Sequence, residues 1–188
     1  GSYYGFCDKK AALALRKLNS PFQGHPHVLD LPFVETSTGS LGQGISVAIG
    51  MALGLKLQKI PARVYTLLGD GELQEGEVWE AAMSGAHHKL DNLCAVIDYN
   101  KLQSDNSNDA IMRLEPLADK WRSFGFAVEE VDGHDLDALR AVFAGLPFAG
   151  DKPSMIISHS VKGKGVPFAE HNPAWHHKAP SPEELDAI

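Results

Sequence analysis

The chain has 188 residues, 44% of them hydrophobic and 22% charged, and a formal charge of −7. That length can bury the core of one domain, and the composition excludes a disordered chain. The acidic balance argues against nonspecific attraction to nucleic acid or anionic lipid. No apolar run approaches the roughly 18 residues needed to span a bilayer.

Asp8 is placed to cap a helix from about Lys9 to Leu18, with Ala11, Leu15 and Leu18 as its apolar stripe after the aromatic "YYGF". Gly1-Ser2 reads as a cleavage scar with no targeting peptide behind it. The stretch "NSPFQGHPHVLDLPFVETSTGS" is long, irregular and proline-rich, and loops of that kind usually bind something or lean on a partner. Leu41 to Gln58 reads as a helix with so few polar positions that burial on several sides is expected.

Beyond it the pattern alternates. "RVYTLLGD", "NLCAVIDYN", "AVEEVDG" and "KPSMIISHS" read as strands. "EGEVWEAAMSGAHHKL", "LEPLADKWRSFGF" and "DLDALRAVFAGL" read as helices between them. Strands separated by helices predict a doubly wound α/β fold, its mainly parallel sheet covered by helices on both faces. Cys94 falls inside a predicted buried strand. With only Cys7 as company it reads as a reduced, intracellular core thiol rather than half of a disulfide framework.

In such folds ligands bind at the carboxyl ends of the strands. Gly69-Asp70-Gly71, Asp98 to Asn100 and His159-Ser160 all fall at predicted ends. Glycines flanking Asp70 would allow a sharp turn and close backbone approach, leaving its carboxylate presented at the strand end. Asp70 either caps that turn or binds a metal; the Asn100 amide oxygen and a main-chain carbonyl beyond it would complete a donor set suited to Mg2+ or Ca2+. His87 and His88 are consecutive on a helix and cannot share one face as ligands. His176 and His177 lack the cysteines or spaced carboxylates of a zinc site. Trp79, Met83 and Trp121 read as core or interface residues. Lys162 and Lys164, each followed by glycine, form a basic loop without a phosphate-loop sequence.

"GDGELQEG" followed by Asn100 in "DYNKL", with 28 residues between Gly71 and Asn100, resembles the thiamine-diphosphate motif of transketolases. "GHP" at 24–26 and "TGSLGQG" at 38–44 agree with that family in order. The resemblance implies a thiamine-diphosphate-binding (PP) domain over residues 1–188. Mg2+, or Ca2+ in its place, would be held by the Asp70 and Asn100 side chains and the Leu102 carbonyl. It further implies that Gly69 and Gly71 line the diphosphate, that Gly39 and Leu41 contact the cofactor, and that His25 faces the ketose. Glu75 matches the family's subunit-interface glutamate. The segment 159–188 resembles the loop closing the diphosphate side, with His176 facing cofactor and substrate, although His177 stands where the family often has Gly.

In that family the cofactor serves as electron sink and a glutamate on a separate pyrimidine-binding domain activates it. The resemblance here covers only the diphosphate-binding domain. It therefore implies a split, cytoplasmic transketolase that moves a two-carbon unit between sugar phosphates. Its partner would be a C-terminal subunit carrying the pyrimidine domain, in a dimer of heterodimers, with no nucleic acid or membrane partner. The family's upstream helices, with further histidines facing substrate and diphosphate, have no counterpart before Tyr3. That leaves open a truncated binding or assembly subunit; another thiamine-dependent enzyme component is a further alternative.

Overall fold

The computed structural model describes residues 4–188, so Gly1, Ser2 and Tyr3 lie outside the described residues. The chain falls into two compact units, Gly1–Leu41 and Gly42–Ile188.

The first unit is built mainly from turns. Its helix α1 spans only Lys9–Ala12, with the Asp8 carboxylate accepting from the Lys10 N–H. The expected continuation to Leu18 does not form. Arg16 and Asn19 take left-handed φ values of 61° and 60°, and the Arg16 N–H turns to the Phe22 carbonyl. Leu15 and Leu18 are exposed rather than part of a stripe.

The second unit holds a four-stranded, fully parallel sheet in the order β1-β2-β4-β3, from β1 (Val64–Gly69), β2 (Leu93–Tyr99), β3 (Ala127–Asp132) and β4 (Ser154–His159). The helices are α2 (Gln43–Leu57), α3 (Gly76–His87), α4 (Asn108–Ile111), α5 (Leu117–Ser123), α6 (Leu136–Ala144) and α7 (Pro182–Asp186). The doubly wound α/β reading is borne out, with helices on both faces. The short α4 lies within the polar loop after β2; its Ser107 cap accepts from the Ala110 N–H.

Side-chain alternation along the strands divides the core into two layers. Leu93, Ala95 and Ile97 of β2, with Met155 and Ile157 of β4, face Ile45, Ala48, Ile49 and Ala52 of α2, Val78, Ala81 and Ala82 of α3, and Leu117 and Trp121 of α5. Cys94 and Ile156 point the other way, to Val131 and the Ala138, Leu139 and Val142 side chains of α6. Edge strand β1 is covered on one face only, so Leu68 is buried while Tyr65 and Leu67 are exposed. Helix α2 likewise buries one stripe and leaves Val47 and Met51 exposed, so the expected burial on several sides is not met within the described residues.

Cys94 has no solvent exposure, and burial pushes its thiol up to about 11, a nearby Arg63 charge offsetting little of this. The unfolded thiol ionises first as the pH rises, so its contribution to stability is intact below about pH 9 and is lost toward pH 11. At ~1.4 kcal/mol per pH unit the loss is roughly 2–3 kcal/mol. Denaturant unfolding of wild type and Cys94→Ala at pH 8.5 and 10.5 measures it: the gap between them should narrow at the higher pH.

Candidate functional site

Strand register brings the predicted segments to one edge. Gly69 pairs with Asp98, Asp98 with Ser158 and Tyr99 with His159, so Asp70, Asn100 and Ser160 all emerge from the carboxyl ends of adjacent strands. Asp70 ends β1 and caps the 3-10 turn Gly71–Gln74 that leads into α3. It is only 2% exposed. Its Oδ1 accepts from the Gly71 N–H at 2.8 Å and its Oδ2 from the Lys101 N–H at 2.5 Å. Lys101 itself takes a left-handed φ of 67°.

Of the two roles expected of the flanking glycines, close approach is met at Gly71. Neither takes a positive φ, and Gly69 borders open space. At Gly71 a Cβ would stand 2.9 Å from the Gln103 Cβ, so glycine is required there for close approach of the loop after β2. Gln74 closes that contact, its Nε2 donating to Gln103 Oε1 and to the Met112 carbonyl, both at 2.9 Å.

Asn100 is held in a fixed orientation. Its Nδ2 donates to Asp98 Oδ2 at 3.1 Å and its Oδ1 accepts from the Leu102 N–H at 3.0 Å. The Ser160 hydroxyl donates to the other Asp98 oxygen. Burial drives the Asp70 carboxyl above its ordinary range, more strongly than its hydrogen bonds pull it down, and the Asp98 charge adds to the rise. Among the described residues no lysine, arginine or histidine forms an ion pair with Asp70.

Glu72 is a site residue that the sequence motifs do not single out. Its Oε1 accepts from Gly42 N–H at 2.9 Å and its Oε2 from Gly69 N–H at 3.0 Å, tying the start of α2 to the end of β1. The available signal was its position three residues after a strand-ending glycine, where a carboxylate can reach back to free N–H groups. Glu75 is exposed at the start of α3, and no side-chain cap bond forms there.

His176 ends the 3-10 turn Pro173–His176 in the C-terminal segment, its ring edge-on to His177 with centroids 4.6 Å apart. Partial burial, and then the Lys162 and His177 charges, lower its imidazole pKa, keeping it neutral at pH 7. The residue at the family's glycine position, His177, sits at φ −123°, which any side chain tolerates. His134 Nε2 accepts from the Val161 N–H at 2.8 Å, anchoring the start of this segment.

In the first unit the Thr38 N–H reaches the Pro26 carbonyl and the Val28 N–H reaches Ser37 Oγ, joining "GHP" to the start of "TGSLGQG". A Cβ on Gly39 would stand 2.5 Å from the His25 ring, so the imidazole lies directly against the glycine backbone. Leu41 ends this unit, exposed.

The profile of the family described as "Transketolase, thiamine diphosphate binding domain" matches residues 5–188. The chain belongs to the transketolase family. It is 40% identical over 182 residues to an apulose-4-phosphate transketolase subunit of Phocaeicola vulgatus, covering 97% of this chain and 64% of that protein. It is 47% identical over 143 residues to the 6-deoxy-6-sulfo-D-fructose transketolase subunit SqwG of Clostridium sp., covering 76% and 52%. The transketolase structure from Campylobacter jejuni superposes with a TM-score of 0.82 at 30% identity, over 87% of this chain and 27% of that one. The chain therefore spans between about half and two thirds of the length of these subunit relatives, and about a quarter of the Campylobacter chain.

The donor set of this transketolase-type domain fits a hard divalent cation. Its atoms are oxygens, and the buried Asp70 charge lacks a cationic neighbour. Each of its carboxylate oxygens also keeps acceptor capacity beyond the one N–H it receives. Among the described residues no group of three or more His, Cys, Asp or Glu is placed to hold a metal ion.

Proposed function

We propose that this chain is the N-terminal, diphosphate-binding component of a two-subunit, cytoplasmic transketolase. The observation that carries the reading is the buried, uncompensated Asp70 carboxylate beside Asn100 and the Leu102 loop, in a chain whose relatives include two transketolase subunits. In this reading Asp70, Asn100 and the Leu102 carbonyl hold Mg2+, or Ca2+ in its place, and Gly69 and Gly71 line the diphosphate. Gly39 and Leu41 contact thiamine diphosphate. When bound, that cofactor supplies the electron sink for breaking the ketose carbon–carbon bond.

His25 and His176 then orient sugar hydroxyls and move protons at them, for which the neutral imidazole of His176 is suited. Glu75 faces a neighbouring protomer within a dimer of heterodimers. The exposed apolar side chains Val47 and Met51 of α2 and Met83 of α3 support burial against protein partners. The C-terminal subunit would bring the pyrimidine-binding domain and its glutamate. The substrates are ketose and aldose phosphates or close anionic analogues, as the names of the subunit relatives suggest.

The test is to assemble the chain with its C-terminal partner and assay two-carbon transfer from a ketose phosphate to an aldose phosphate. Transfer should require both Mg2+ and thiamine diphosphate. A demonstrably assembled, cofactor-loaded complex that transfers nothing would overturn the activity.

A further inference from the structure

The loop after β2 is closed on itself. The Asn108 N–H donates to the Lys101 carbonyl at 3.0 Å, Leu102 and Ser107 form an antiparallel bridge, and the Gln103 N–H donates to the Asn106 carbonyl at 3.0 Å. At its base Asn108 is 4% exposed, and neither its Oδ1 nor its Nδ2 has a hydrogen-bond partner among the described residues. A buried amide left unpaired costs roughly 1–3 kcal/mol, so it calls for a reason. Its neighbour provides one. The Asn108 N–H holds the Lys101 carbonyl and the Lys101 N–H holds Asp70 Oδ2, so the loop sets the Asn108 amide beside the Asp70 carboxylate, short of a well-formed hydrogen bond.

We infer that Asn108 is a positioning residue for cation binding, its Nδ2 donating to the Asp70 carboxylate once a divalent cation draws on that group. The inference rests on the reading of Asp70 as a ligand. A carboxylate that coordinates a metal is itself held by hydrogen bonds, and those partners fix which oxygen faces the ion. Gly71 and Lys101 hold Asp70 through the main chain. Asn108 adds the side-chain donor, and its backbone N–H also fixes the loop that carries the Leu102 carbonyl. The orphaned amide is thus a cost to the cation-free fold that cation binding recovers.

The experiment is calorimetric titration of the full chain with Mn2+ in the presence of thiamine diphosphate, for wild type, Asp70→Asn, Asn108→Leu and Asn108→Ala, with melting temperatures measured without cation. Asn108→Leu matches the side chain in size and removes its polar atoms; alanine carries the same test if leucine does not fit. Both Asn108 variants should bind Mn2+ roughly 10–100-fold more weakly, while their cation-free melting temperatures do not fall. Wild-type affinity in both, or a loss that follows a fall in cation-free melting temperature, overturns the role of Asn108. If that happens while Asp70→Asn abolishes binding, the Asp70 reading stands. A wild type that binds no cation overturns both.

Discussion

Asp70→Asn should weaken cation-dependent binding of thiamine diphosphate by roughly two to three orders of magnitude while leaving the cation-free fold intact or slightly more stable. The two effects have one origin. The carboxylate is 2% exposed and its charge is disfavoured by burial, so the folded chain carries that charge at a cost. A divalent cation turns the cost into an attraction, and removing one partner of a buried charge pair typically loses about 3–5 kcal/mol. Asparagine keeps the size and one acceptor oxygen for the Gly71 or Lys101 N–H. Titration calorimetry with Mg2+ and thiamine diphosphate, beside melting curves without cation, would check both parts. Equal cofactor affinity in the two proteins would return Asp70 to a turn cap and remove the metal from this edge.

Trp121→Ala should cost roughly 3–5 kcal/mol of stability, whereas Trp121→Phe should cost far less. The Trp121 side chain is fully buried, and its ring lies 5.1 Å from that of Trp79 and 4.9 Å from that of Phe126. Alanine would leave a cavity between α3, α5 and the sheet. The indole N–H of Trp121 has no partner among the described residues, so phenylalanine keeps much of the volume and removes an unsatisfied donor. Trp79 differs, because its N–H donates to the Leu73 carbonyl at 2.9 Å. For a chain of this length the alanine change should lower the melting temperature by on the order of 10 °C. Thermal unfolding of the two variants would show the asymmetry; equal losses would mean that the ring nitrogen is satisfied in solution.

These two sites were legible in the sequence to different degrees. Asp70 was legible because a glycine-bounded acid at the end of an apolar strand, followed at a fixed distance by Asn100 at the end of another, has a chemical meaning before any contact is known. Trp121 was legible only as a core or interface residue. Its tilted stacking on Trp79 depends on how α3 and α5 cross. Asn108 was invisible, since it lies in a polar loop where asparagine is ordinary; only the folded chain buries its side chain and leaves it unpaired. Helix α1 was overread, because the spacing of Ala11, Leu15 and Leu18 carries no information about the left-handed turns at Arg16 and Asn19 that end it.

By itself the sequence determined the alternation of strands and helices, and with it a parallel sheet whose carboxyl edge gathers Asp70, Asn100 and Ser160. That follows from side-chain periodicity, which is a local property of the chain. Tertiary structure decided what sits around those residues. The Lys101 N–H reaches back to Asp70, Glu72 reaches two main-chain donors, and Asp98 fixes the Asn100 amide. Each is a meeting of segments distant in sequence or of groups whose direction depends on the turn. Burial acts there too: it makes the Asp70 charge costly, and no residue type announces its own burial.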